Sequence, residues 1–82
     1  MYEKLRDAIL GYLESVHGSE PVTIWENVRK ELPNVTKEQV HSALQGMFVN
    51  GYLKRSLVEE EYRVNGSSYC YWLPRYFSQN PE

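Results

Sequence analysis

The sequence predicts a small α+β domain, three helices followed by a β-hairpin. Three observations carry this. Apolar residues recur at helical spacing over residues 2–50, the pattern changes to strand-like alternation after Gly51, and two Thr-led capping boxes and an Asn-Gly pair punctuate the chain. Its 82 residues allow one domain, expected over 1–74, with a tail over 75–82.

The first helix is expected over 2–16. Tyr2, Leu5, Ala8, Ile9, Tyr12, Leu13 and Val16 make one apolar face at three- and four-residue spacing. Gly18 is placed to close it as a left-handed cap, and Glu20-Pro21 breaks the chain. Thr23-Ile24-Trp25-Glu26 then reads as a capping box opening a second helix over about 24–32, which buries Ile24, Val28 and Leu32 and stops at Pro33-Asn34. A second box, Thr36-Lys37-Glu38-Gln39, opens a third helix over 37–50. Val40, Ala43, Leu44, Met47 and Phe48 face inward, and Gly51 caps its end.

Beyond Gly51, Tyr52-Leu53-Lys54-Arg55-Ser56-Leu57 alternates as a strand does. Tyr62-Arg63-Val64 and Ser68-Tyr69-Cys70-Tyr71-Trp72-Leu73 are rich in β-formers, and Asn65-Gly66 between them is a hairpin signal, since both residues accept positive φ. Pro74 ends the last strand.

Composition narrows the function classes. No apolar run approaches the roughly 18 residues of a transmembrane helix, so no membrane partner is expected. The charged N-terminus is unlike a secretion signal, and the single Cys70 excludes an internal disulfide and a cysteine zinc cluster, which fits a reducing, cytoplasmic setting. The net charge of −2 opposes nucleic-acid binding, but its distribution does not. Residues 1–28 hold two cations against five acids, residues 29–58 five against two, and residues 59–82 two against four. Positive charge is therefore central, and a local basic surface matters more to phosphates than the total.

Three helices followed by a hairpin, with a very short link between helices two and three, is the order of a winged helix. The stretch TIWENVRKELPNVTKEQVHSALQGMFVNGYLKRS resembles the helix-turn-helix and first wing strand of prokaryotic and phage winged-helix regulators. Its matching features are Ala43-Leu44, Met47-Phe48, Gly51, Tyr52-Leu53 and Arg55. Tyr71-Trp72-Leu73 resembles the last wing strand, so the resemblance spans about 2–73. It implies a three-helix bundle with a helix-turn-helix and a C-terminal hairpin wing. The function it implies is that of a small transcriptional regulator on double-stranded DNA, with helix 37–50 in the major groove and the wing on backbone or minor groove. Winged helices also serve as protein-interaction modules without DNA binding, which is the alternative.

On the DNA reading, the outer face of the third helix offers Thr36, Lys37, Gln39, His41, Ser42 and Gln45, with Glu38 among them. Gln bonds adenine through two contacts, Lys meets guanine or phosphate, and Ser and Thr serve either. On the wing, family analogy favours Arg55 over Lys54, and Arg63 and Asn65 near the turn are placed for phosphate or the minor groove. This reading also expects a continuous positive surface joining Lys37, Arg55 and Arg29 or Lys30. Glu59, Glu60 and Glu61 oppose a wing–DNA contact and favour a protein partner there. Tyr76 and Phe77 are placed to pack on the first helix or to join a homodimer. Winged helices that bind left-handed DNA carry an Asn and a Tyr where this chain has His41 and Gln45. His17 and His41 lack partners at ligand spacing, Cys70 reads as a core residue, and no phosphate loop, nucleophile elbow or carboxylate pair occurs, so neither enzyme activity nor a cofactor or metal is expected.

Overall fold

Apolar spacing in the N-terminal third builds α1 (Tyr2–Glu14), whose buried face is Leu5, Ile9 and Leu13. The computed structural model describes residues 2–58 and 69–77. The helix α1 stops two residues short of the expected end. There the backbone N–H of Ser15 donates to the Tyr12 carbonyl at 3.1 Å and the Ser15 hydroxyl donates to the same oxygen at 2.8 Å, a local bond that competes with a further helical turn. Gly18 does adopt a left-handed φ of +92°. It does not cap α1, however, because it lies beyond that end. It turns the chain into Ser19, which exchanges two backbone hydrogen bonds with Tyr71, at 3.0 and 2.9 Å.

The second helix corrects the expectation. α2 runs Pro21–Val28, with Glu20 at its N-cap and Pro21 in the first turn. Proline at the first position loses no hydrogen bond and brings a preset φ, so Glu20-Pro21 starts the helix instead of breaking the chain. Thr23 then sits inside the first turn, and the Thr23–Glu26 capping box does not form. The Glu20 side chain makes no capping bond either. Past Val28 the chain continues in tight turns: Arg29 N–H donates to the Trp25 carbonyl, and Glu31 and Leu32 both donate to that of Val28. The link to the next helix is therefore residues 29–36, longer than the very short link expected.

α3 spans Lys37–Val49 and opens as its sequence predicts. The Thr36 hydroxyl accepts from Gln39 N–H at 3.1 Å, and Gln39 Oε1 accepts from Thr36 N–H at 2.9 Å. Both bonds span three residues, so the local sequence suffices to specify them, and such a cap contributes about 1 kcal/mol. Gly51, at φ +87°, follows the Asn50 C-cap as expected.

Two short strands come next, β1 (Lys54–Leu57) and β2 (Tyr69–Trp72). They pair antiparallel, with Lys54 opposite Trp72, Arg55 opposite Tyr71, Ser56 opposite Cys70 and Leu57 opposite Tyr69. Ser19 bridges to the other edge of β2 at Tyr71, so β2 lies between β1 and the α1–α2 connection. The expected strand at Tyr62-Arg63-Val64, the Asn65-Gly66 turn and the acidic run Glu59–Glu61 lie outside the described residues. After Pro74 the chain forms α4 (Pro74–Phe77), one helical turn.

The core draws on every layer. Leu5, Ile9 and Leu13 from α1 join Ile24 and Val28 from α2, Val40, Ala43, Leu44 and Met47 from α3, and Val35, Leu53, Tyr71 and Leu73 from the connections and β2. The architecture is a small α+β fold: among the described residues, four helices and a two-stranded antiparallel sheet. No helix of the described residues is long and apolar enough to cross a membrane.

Candidate nucleic-acid interface

Because Val40, Ala43, Leu44 and Met47 turn α3 inward, the side chains on its other ridges are fixed by helical geometry. Lys37, His41 and Gln45 recur every four residues and are all exposed. They form one ridge, about 12 Å from end to end at 1.5 Å per residue. Each end of that ridge is joined to a cation.

At the N-terminal end, Trp25 of α2 is the platform. Its ring lies 4.5 Å from the Arg29 guanidinium carbon and 5.1 Å from Lys37 Nζ, both measured to the ring centre. Trp25 is itself pinned, since its indole N–H donates to the Val35 carbonyl at 3.1 Å. Two cations from different elements thus share one aromatic surface, and each is attracted to the ring's negative face. Arg29 and Lys37 form no ion pair among the described residues, so their charge stays available to an anion.

At the C-terminal end stands Arg55 of β1. Its guanidinium carbon is 4.0 Å from the centre of the Phe48 ring and 4.1 Å from that of Tyr69. Nη1 donates to Gln45 Oε1 at 3.2 Å and to the Tyr71 hydroxyl at 3.4 Å. Arg55 is half-buried and connects α3, β1 and β2, whereas Lys54 beside it is exposed.

The remaining candidates divide. Thr36 and Gln39 are engaged with each other in the cap. Gln39 and Ser42 line a shallow groove against α1 with Tyr2, Leu5 and Ala43, on the flank of α3 away from the Trp25 cations. Glu38 is exposed one place round the helix from Lys37. Arg63 and Asn65 lie outside the described residues. Among the acids, Asp7 and Glu31 line a separate groove between α1 and α2, and Glu14 pairs with Arg75.

Trp25 is not among the site residues expected from the sequence. Its i, i+4 spacing to Arg29 is a signal within α2 and the turn that follows. Lys37 reaches the same ring only because the 29–36 link folds back, and no spacing rule conveys that. The sandwich of Arg55 by Phe48 and Tyr69 has no local signal, because its members come from three elements.

Other chemistry is thin. No group of three His, Cys, Asp or Glu that could hold a metal occurs among the described residues. Cys70 is half-buried on β2, and burial, with the Glu20 carboxylate adding to it, pushes its thiol up from 9.0 to about 11. It is therefore a poor nucleophile at neutral pH. Stability held by the protonated thiol is fully present below pH 9 and is lost as pH rises towards 11. Melts across that window are expected to fall more steeply for the wild type than for Cys70→Ala, and parallel curves would contradict the shift.

The comparisons with protein-family models, curated proteins and solved structures found no match to this chain.

Proposed function

We propose that the protein is a winged-helix domain that binds double-stranded DNA, with α3 in the major groove, and that it acts as a small transcriptional regulator. The single observation that supports this best is the ridge Lys37–His41–Gln45 with a cation joined to each end, Arg29 through Trp25 and Arg55 through Gln45. A helix is about 10–12 Å across with its side chains, which fits the major groove of B-DNA, and the ridge runs along it for about 12 Å. Arg29 and Lys37 stand at the N-terminal end of that helix, where phosphates are met and the helix dipole favours anions. The element order supports the same reading: a strand residue between α1 and α2 pairs with β2, and β1 with β2 makes the base of a wing.

The test is fluorescence anisotropy of the full chain with a labelled random-sequence duplex, titrated from low to moderate salt. Micromolar binding that weakens steeply with salt is expected, because phosphate contacts release counterions. Arg29→Ala and Lys37→Ala are each expected to weaken binding to all sequences alike and to lower the salt slope by about one. Absence of binding at low salt overturns the proposal.

A second reading has its own observation. Val49 and Tyr52, at the C-terminal end of α3, are 69% and 47% exposed, an apolar pair next to the polar ridge. A protein-interaction module would use that end, and a chain that ignores duplex at low salt would be assigned to this class.

A further inference from the structure

Gln45 is the one ridge side chain that is hydrogen-bonded to a neighbour among the described residues. We infer that Arg55 acts as a positioning residue for Gln45, so that Gln45 meets the groove through its Nε2 donor and discriminates against cytosine, the one base whose major-groove edge offers no acceptor. This rests on the reading of α3 as the groove helix.

Donor chemistry fixes which end of the amide faces Arg55. A guanidinium has only donors, and an amide has one acceptor oxygen and one donor nitrogen. Arg55 Nη1 lies 3.2 Å from the Gln45 side chain. The atom facing it must be Oε1, because the amide nitrogen would put donor against donor. The Nε2 group is therefore the end directed away from Arg55. Glutamine that reads adenine through two bonds accepts from N6–H at Oε1 and donates to N7 from Nε2. Here Arg55 takes up one of the two lone pairs of Oε1 and draws that atom towards β1, so Nε2 becomes the leading contact. Guanine O6 and N7, thymine O4 and adenine N7 offer acceptors to it, whereas cytosine offers only its N4 donor.

The orientation holds only as well as the guanidinium does. The centres of the Phe48 and Tyr69 rings lie 4.0 and 4.1 Å from its carbon, and Nη1 also donates to the hydroxyl of Tyr71, a residue only 1% exposed. A guanidinium packed against two rings and bonded to a buried hydroxyl has little freedom to turn. Lysine in its place would keep the charge but lose both the stacking plane and the fork of donors.

The experiment selects preferred sites from a randomised duplex pool with the full-length wild type, Arg55→Lys and Gln45→Glu. Wild type is expected to show one position at which C is disfavoured about tenfold against the other bases, the scale of a single good base contact. Gln45→Glu turns the donor into an acceptor, and that position is expected to come to favour C or A, which offer donors, while preferences elsewhere in the site remain. Arg55→Lys is expected to abolish the preference at that position alone, although charge is conserved. Gln45 is exposed, so Gln45→Glu keeps the test valid should Arg55→Lys unfold. A wild type that enriches a site with no position altered by Gln45→Glu, or in which the altered position does not disfavour C before the substitution, overturns the inference and leaves the DNA reading standing. A wild type that enriches no duplex overturns both.

Discussion

Gly18→Ala is expected to destabilise the protein by about 2–5 kcal/mol, through two additive causes. The first is conformational: at φ +92° a residue with a Cβ costs about 1–2 kcal/mol. The second is crowding. A Cβ at this position would lie 2.7 Å from Trp72 Cε2 and 2.8 Å from both Trp72 Cζ2 and Cys70 Sγ, and overpacking of this kind costs about 1–3 kcal/mol. Little can give way, because the Trp72 indole N–H is bonded to Ser56 Oγ at 3.2 Å and Cys70 lies in the β2 pairing. Gly51→Ala provides the control. Gly51 also has positive φ, +87°, but a Cβ there meets nothing within 4 Å. Its cost is expected to be the conformational part alone, about 1–2 kcal/mol. Urea midpoints of the two variants measure the difference. Equal losses would mean that crowding against Trp72 contributes nothing.

Leu44→Ala is expected to cost about 2–5 kcal/mol, the range for emptying a fully buried leucine site. Leu44 is 0% exposed and sits on the inner side of α3, next to the proposed ridge. A domain of this size has a total stability of about 4–12 kcal/mol, so the variant loses a large share of it. Melting is expected to fall by at least about 10 °C, at roughly 4–8 °C per kcal/mol. Val49→Ala is the comparison on the same helix. Its side chain is 69% exposed and its removal is expected to change stability by less than about 0.5 kcal/mol. A Leu44→Ala loss below 1 kcal/mol would show that α3 is not anchored through this residue. Because Leu44 has no access to a groove, any loss of DNA binding in that variant should disappear at temperatures where it stays folded. The losses from Arg29→Ala and Lys37→Ala should persist at all temperatures.

What the sequence by itself determined is whatever closes within a few residues. The Thr36–Gln39 box starts α3 because both bonds span three positions. The apolar periods of α1 and α3 place their inner faces, and Gly51 ends α3 since glycine tolerates the positive φ there. Where two local signals competed, the sequence was ambiguous. Thr23–Glu26 and Glu20-Pro21 each fit a helix start, and the Pro21 start has tertiary support, since it is the one that buries Pro21, Ile24 and Val28 together.

Only the tertiary structure decided which distant side chains meet. Ser19 pairs with Tyr71 across more than half the chain. Tyr76 returns to α1, donating to the Glu14 carbonyl at 2.8 Å and lying 4.5 Å from the His17 ring. Arg29 and Lys37 come to one indole, and Arg55 comes to rest between Phe48 and Tyr69 beside Gln45. The physical reason is the same in each case. A hydrogen bond within one turn is fixed by backbone geometry alone, whereas a contact between elements depends on how their apolar faces pack, and that packing is set by the shared core.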